Sequence, residues 1–182
     1  MITYTVKAGE TNFKPLERLL PYWSPSGFSL IATIHPGAWA SLEEFGGDQD
    51  RNDYQKLKGL SNFFSANNKD TAYIAFNYDD EPGFYRAVGY TNFPGSDWVA
   101  GKPVRFKEGE PLYAQADFWR GRVQYQLSSA YGKESYYHDF LKKKPLMARE
   151  AGTYAGGANN SPGPHGGKAF KDMSIDVSFK VF

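Results

Sequence analysis

The sequence predicts an all-β fold: a jelly-roll-like β-sandwich of about 8–10 antiparallel strands with one or two short helices. Three observations predict it. Apolar and polar residues alternate in many short segments, 19 glycines and 11 prolines supply turns, and no strand–helix–strand rhythm is present. Aromatic residues make up 17% of the chain, and many of them lie in these segments. A sandwich core can bury them, which argues against disorder.

Eight segments alternate as half-buried strands do. The clearest feature is a hairpin, because two aromatic-rich segments at 71–78 and 84–91 flank the turn sequence Asp-Asp-Glu-Pro-Gly. The last ten residues, 173–182, alternate throughout. The other predicted strands are 2–6, 28–34, 103–106, 112–118 and 121–127.

Helical signals are few. The segment 13–20 has apolar residues at helical spacing and is followed by Pro21, which predicts a two-turn helix. The segment 52–64 places apolar residues on one helical face that Gly59 interrupts, which predicts a short helix or helical loop. The segment 136–144 predicts a single turn that ends before a proline.

A chain of 182 residues is the size of one ordinary domain. We therefore expect a single β-sandwich domain over 1–182. Residues 151–168 differ in composition, since they are rich in Gly and nearly without large apolar residues. Such a stretch predicts a long surface loop.

Charge and cysteine content exclude several function classes. The net charge is +1, so we expect no nucleic-acid partner. The charge is uneven, however: 8 basic and 11 acidic side chains precede residue 92, and 13 and 9 follow. The absence of cysteine excludes disulfides, thiolate metal sites and a cysteine nucleophile. No segment has the ~20 apolar residues of a membrane helix, and no signal-peptide pattern is present. We expect no membrane partner and cytoplasmic synthesis, with assembly into a particle left open.

Motifs for catalysis are absent or incomplete. His35, His138 and His165 are isolated from other ligands at metal-binding spacing. Neither a nucleophile elbow nor a phosphate-binding loop is present. Acidic residues are nearly absent from the predicted strands, so paired carboxylates of a glycosidase would have to come from separate strands. We therefore assign no catalytic residue and expect no cofactor, apart from a weak indication of calcium.

That indication is an acidic stretch resembling the start of a calcium-binding loop. Asp48, Asp50 and Asn52 occupy its first, third and fifth positions, but Asp53 and Gly59 stand where the loop requires Gly and Glu. A solvated acidic loop that caps a following helix is the simpler interpretation. Calcium at Asp48, Asp50 and Asn52 is therefore only a low-ranked prediction.

Aromatic residues outside the strands give the main functional prediction. All four tryptophans lie at predicted strand ends or in loops, among residues that a core does not easily absorb. Trp and Tyr rings stack on the CH faces of sugars, while Asp, Asn and Arg bind the hydroxyls. The predicted ligand-binding residues are Trp39, Trp98, Trp119, Tyr137, Asn92, Asp97 and Arg120.

The leading prediction is a non-catalytic, lectin-like carbohydrate-binding sandwich. Two alternatives stay open. One is a structural or assembly protein of a virion, phage tail or surface appendage, in which the aromatic residues and the uneven charge make subunit contacts. The other is a glycan-active enzyme with carboxylates from separate strands. The expected partners are carbohydrate or other protein subunits, including further copies of this chain.

Overall fold

A computed structural model describes residues 1–15, 21–44, 49–64, 70–93, 98–119, 121–139, 146–155 and 168–182. In these ranges the chain forms thirteen strands and one 3-10 helix, Gln49–Asn52. The strands make two antiparallel sheets packed face to face. The predicted jelly-roll-like β-sandwich is therefore confirmed.

Sheet A contains six strands. In spatial order they are β1 (Ile2–Val6), β13 (Met173–Val181), β3 (Gly27–Ile34), β9 (Leu112–Trp119), β10 (Arg122–Ser129) and β11 (Gly132–Asp139). The first and last strands of the chain are paired, with Tyr4 opposite Ile175. The two ends of the chain are thus held together inside one sheet.

Sheet B contains the other seven strands. Its main path is β2 (Pro21–Trp23), β12 (Met147–Ala151), β4 (Gln55–Asn62), β5 (Thr71–Tyr78), β6 (Phe84–Asn92) and β7 (Trp98–Ala100). The remaining strand, β8 (Val104–Lys107), pairs with the first half of β6, and β7 pairs with its last residues. The predicted hairpin is β5–β6, in which Tyr78 lies opposite Tyr85.

The core lies between the sheets and is rich in aromatic residues. Tyr85 of β6 packs its ring edge against Phe76 of β5, with ring centroids 5.5 Å apart, and lies 5.5 Å from the Phe106 ring of β8. Tyr125 of β10 is fully buried beneath Gly89, where an added Cβ would lie 2.2 Å from the tyrosine ring. Sheet A therefore packs closely on the centre of sheet B.

Strand β5 is buried on both faces. Its inward residues join the main core, while Tyr73 and Ala75 face outward into a second apolar cluster with Val88, Tyr90 and Ala151. The outer face of sheet B therefore carries a buried apolar cluster. Side chains gather there, and the candidate site is built on them.

The helix predicted over 52–64 is wrong, because residues 55–62 form β4 between β5 and β12. A Cβ at Gly59 would lie 2.1 Å from the Ala72 carbonyl oxygen, so only glycine permits this approach of two strands. A β-bulge between Lys56 and Lys58 breaks the two-residue period. The bulge hides the strand pattern from the sequence.

The other helix predictions also fail where the structure describes them. Residues 136–139 belong to β11, paired with β10, and 140–144 lie outside the described residues. Of the segment 13–20, residues 13–15 are not helical: Lys14 forms a bridge with Thr5, and Phe13 is buried. Residues 16–20 are not described. In the described ranges, no helix is long and apolar enough to cross a membrane.

Most of the loop predicted at 151–168 lies outside the described residues. Its first five residues pack against the sheet. Ala151 ends β12, the Thr153 hydroxyl donates to the Leu57 carbonyl at 2.7 Å, and Ala155 is fully buried. The described residues 151–155 therefore pack against sheet B, and the long surface loop over 151–168 stays a prediction.

One lysine is buried between the sheets. Lys58 of β4 donates to the Tyr4 hydroxyl at 3.0 Å, and its Nζ lies 3.0 Å from Glu150 Oε2. The Tyr22 hydroxyl donates to the other oxygen of Glu150 at 2.6 Å. Burial, with a smaller contribution from Glu150, raises the pKa of Tyr22 to about 12. This network ties β1 of sheet A to β4 and β12 of sheet B.

We expect Lys58→Met to destabilise the protein by about 3 kcal/mol, because the Glu150 carboxylate would lose its cation in a mostly buried position. Adding Glu150→Gln should recover part of the loss. Urea denaturation followed by tryptophan fluorescence measures both. Lys7→Met is the matched control, since Lys7 pairs with Asp172 at the solvent-exposed surface, and it should change the midpoint little. Equal losses for Lys58→Met and Lys7→Met would contradict the role of the buried network.

Candidate functional site

The candidate site lies on the outer face of sheet B. Successive side chains of a strand point to opposite faces, so every second residue of β5 and β6 faces away from sheet A. The pairing register arranges these residues in rows across the sheet. In the paired rows of the two strands the outward residues are Thr71, Tyr73, Ala75 and Asn77 of β5, and Arg86, Val88, Tyr90 and Asn92 of β6.

An aromatic platform stands at the β7 side of this face. Trp98 stacks on Tyr90 with ring centroids 5.3 Å apart and an interplanar angle of 15°. Tyr54 contacts both rings, at 5.7 Å from Tyr90 and 6.2 Å from Trp98. Trp98 is 54% exposed, whereas Tyr90 is buried. An exposed indole held from below by a second ring is suited to stacking on a sugar.

Lys56 reaches the same platform from β4. Its Nζ lies 4.3 Å from the centroid of the Tyr90 ring and donates to the Tyr54 carbonyl at 2.5 Å. In the described part of the chain it forms no ion pair with a carboxylate. Burial lowers the pKa of Lys56 to about 8, and the nearby charge of Asp53 opposes this shift only in part. A fraction of Lys56 is therefore a neutral amine near neutral pH.

The pKa values of Tyr90 and Tyr154, which lie near Lys56, are raised instead. Burial, then the charges of Asp53 and Tyr54, raises the pKa of Tyr90 above its usual value. Burial also raises the pKa of Tyr154, whose backbone exchanges hydrogen bonds of 2.8 and 2.9 Å with Lys56. These phenols stay protonated while the lysine approaches neutrality, and such divergence is typical of acid–base sites.

The next row of the sheet after that of Lys56 carries a positive charge and polar atoms with unused hydrogen-bonding capacity. Arg86 and Asn77 face each other across β5 and β6. Arg86 donates to the Tyr78 carbonyl at 2.9 Å, but its Nε is buried without an acceptor, and it has no ion pair within the described ranges. Asn77 donates to the Asn52 carbonyl at 3.0 Å, but its buried Oδ1 accepts nothing. Both groups retain the ability to bind further polar atoms.

Carboxylates are scarce on this face. The strands β4, β5, β6 and β7 contain no Asp or Glu, and Glu150 of β12 points inward to Lys58. The paired carboxylates considered in the sequence analysis are therefore not found on these four strands. The site offers an amine, phenols, a guanidinium and an amide instead.

The structure brings two of the predicted ligand-binding residues together. Trp98 and Asn92 lie opposite each other in the β6–β7 pairing. Trp39 serves packing, because its indole N–H donates to the Asp79 carbonyl at 3.0 Å and its partly buried ring packs against the main core. Asp97 and Arg120 fall outside the described residues.

Trp119 and Tyr137 lie on the other side of the sandwich. Each is more than half exposed and faces outward from sheet A, since Phe118 and His138 beside them face inward. A shallow groove of about 680 Å³ crosses the same face, lined by side chains that include Tyr113 and Gln126. These two residues therefore cannot share a site with Trp98.

The calcium prediction stays a prediction. Asp48 is not described, only the backbone of Asp50 is, and the Asn52 carbonyl accepts the Asn77 amide. Where the structure describes the chain, no three His, Asp or Glu residues are placed to hold a metal ion.

Sequence reasoning missed the central residues of the site. Tyr90 was predicted to be core, Tyr54 lay on the face of a predicted helix, and Lys56 and Arg86 were not singled out. One signal was available: Arg86, Tyr90 and Asn92 lie on alternate positions of β6 whose intervening residues are also apolar or small. A strand with apolar residues in both phases is buried on both faces, and a cation in such a strand is unusual.

Comparison with known proteins shows similarity at the level of fold. No family model and no curated protein matches the chain. A functionally unknown protein from Saccharomyces cerevisiae superposes with a TM-score of 0.53 at 9% identity, covering 99% of this chain and 86% of that chain. An alginate lyase from Klebsiella pneumoniae gives 0.52 at 11% identity, covering 86% of this chain and 59% of that chain. This chain therefore spans about three fifths of the lyase, and identities this low show a shared fold alone.

The prediction of a non-catalytic carbohydrate-binding module is contradicted by this comparison. The Klebsiella structure with this fold is an alginate lyase. The alternative of a glycan-active enzyme is favoured instead. The assembly alternative and protein-subunit partners stay predictions.

We expect Lys56→Met to raise the free energy of unfolding by about 1–2 kcal/mol at neutral pH, because it removes a charge that burial penalises. The folded protein releases the Lys56 proton near pH 8, and the unfolded chain keeps it to about pH 10.4. Between these values the unfolded state binds more protons, so wild-type stability rises with pH and the advantage of the variant shrinks. Urea denaturation at several pH values measures this.

Lys107→Met is the matched control for this titration. Lys107 also lies near an aromatic ring, 5.6 Å from the Phe84 centroid, but it is exposed. As a substitution of an exposed side chain, Lys107→Met should change the free energy of unfolding little. A constant difference between wild type and Lys56→Met across that window would contradict the lowered pKa.

Proposed function

We propose that this protein is a glycan-active enzyme that cleaves an anionic, uronate-containing polysaccharide by β-elimination at the outer face of sheet B. One observation carries the proposal. Lys56 and Arg86 have no carboxylate partner in the described residues and lie beside an exposed tryptophan platform, on strands without Asp or Glu.

The platform supports binding of a sugar. A pyranose ring can stack on Trp98, which Tyr90 and Tyr54 hold in place. Asn92 lies opposite Trp98 in the register, so the two side chains leave the same face of the sheet. Aromatic rings with a few convergent polar groups are typical of ligand sites.

The charges support an anionic substrate. Lys56 and Arg86 belong to the same face and form no ion pair with a carboxylate in the described part of the chain, and Asp53 lies near Lys56. Arg105 of β8 is neutralised, because carboxylate oxygens of Asp79 and Glu81 lie 3.2 and 2.6 Å from its guanidinium nitrogens. An excess of cations attracts a polymer that carries a carboxylate on each sugar. The Klebsiella alginate lyase of similar fold is named for such a polymer.

The residue types support elimination over hydrolysis. Most glycosidases need two carboxyl groups about 5–9.5 Å apart, and strands β4–β7 carry none. Elimination from a uronate needs a base to remove the hydrogen beside the carboxylate, an acid for the leaving oxygen and positive charge to stabilise the developing anion. An amine, phenols and a guanidinium satisfy those requirements.

A substrate panel tests the proposal. The purified protein is incubated with polymannuronate, polyguluronate, polyglucuronate and polygalacturonate, with a neutral β-glucan as control. Elimination produces a double bond conjugated with the carboxylate, so ultraviolet absorbance should rise together with reducing ends. New reducing ends without a rise in absorbance would indicate hydrolysis. If none of the polymers is cleaved, the proposal that this protein is a glycan-active enzyme is refuted.

Trp98→Ala should lower kcat/KM on the active polymer about tenfold, mostly through KM, because stacking on the sugar is lost. Tyr113→Ala is the control, since Tyr113 is half-exposed on the outer face of sheet A. Initial rates over a range of polymer concentrations measure both. A loss in Trp119→Ala with Trp98→Ala unaffected would place binding on sheet A instead.

A further inference from the structure

We infer that Lys56 carries both proton transfers of the reaction, and that the substrate is a uronate whose C5 hydrogen and C4 oxygen lie on the same side of the ring. This inference rests on the proposed function. It selects polymers of mannuronate and glucuronate, and it excludes those of guluronate and galacturonate, in which these two atoms lie on opposite sides.

The position of Lys56 allows it to act on the platform. In the β4–β5 pairing Lys56 lies opposite Ala75, whose methyl group is the smallest side chain with a Cβ. The lysine can therefore extend across β5 to the Tyr90 ring on β6, where its Nζ lies 4.3 Å from the centroid. The Tyr54 carbonyl fixes the amine at 2.5 Å. The nitrogen is thus held beside the rings on which the sugar would stack.

Lys56 is the group on the described part of this face that can accept a proton near neutral pH. The titratable groups that face it are Asp53 and Tyr54 before β4, Tyr90 of β6 and Tyr154 after β12. Burial raises the pKa of Tyr90 and of Tyr154, so neither phenolate is available as a base. Burial lowers the pKa of Lys56 to about 8. His138 points inward, where it contacts Thr91 at 3.0 Å.

The reaction balances with this one group. The neutral amine of Lys56 takes the C5 hydrogen as a proton, and the electron pair of the broken C–H bond forms the C4–C5 double bond. The bond from C4 to the glycosidic oxygen breaks, and the oxygen leaves with the electron pair of this C4–O bond. It then receives the proton from the Lys56 ammonium. A single nitrogen reaches both atoms only when they lie on the same side of the ring, which sets the substrate class.

The wild-type protein gives the first test, on the four uronate homopolymers. Polymannuronate and polyglucuronate should be cleaved at least about a hundredfold faster than the other two. The activity should rise with pH through about 8 as Lys56 loses its proton. Equal rates on all four, or a preference for polyguluronate or polygalacturonate, would overturn the inference and leave elimination itself standing. No unsaturated product from any polymer would instead refute the proposed function.

Variants give the second test. Lys56→Ala should lower kcat by about 10²–10³ with KM nearly unchanged, and added methylamine should restore part of the rate. Lys107→Met should behave as wild type. A Lys56→Ala variant with the wild-type rate and pH profile would overturn the inference. If Lys56→Ala does not fold, the comparison of the four uronate homopolymers with the wild-type protein still tests the inference.

Discussion

Burial of β5 on both of its faces is the constraint on which the rest of the structure depends. All eight of its residues are buried. Its inner face needs sheet A as a cover, and its outer face needs the cluster that includes Tyr73, Val88 and Tyr90. Any side chain that joins this outer cluster loses water, whatever its charge. The chemistry of the candidate site follows from that loss of solvation.

The two lysines of β4 illustrate this. They flank the β-bulge, which aims Lys58 between the sheets and Lys56 outward. Lys58 is paired with Glu150 and bonded to Tyr4, so its charge is balanced inside the fold. Lys56 has a tyrosine ring and a carbonyl oxygen for neighbours, and its pKa falls to about 8. A lysine paired with a carboxylate holds the sheets together, and one without such a pair among the described residues becomes a candidate for proton transfer.

The strands that the sequence predicted are those with long, regular alternation. The hairpin β5–β6, the β9–β10 pair and the final strand β13 are recognisable because most of their inward residues are apolar. The structure adds β2 and β7, which are too short to show a period, together with β12 and with β4, whose period is broken by a bulge. It also adds β11, which is an edge strand with mostly exposed side chains. Pairing with neighbours, and not local pattern, makes these segments strands.

The candidate site was predictable only in part. The sequence by itself determined the all-β class, the absence of cysteine chemistry, the scarcity of acids on the strands and the position of tryptophans at strand ends. It could not decide which tryptophans share a face, since Trp98 and Trp119 differ by the sheet to which their strands belong. Only the tertiary structure brought Lys56 to Tyr90, 34 positions away along the chain. Solvation and ring contacts depend on neighbours in space. The sequence alone does not show whether a lysine contacts water, a carboxylate or a phenol.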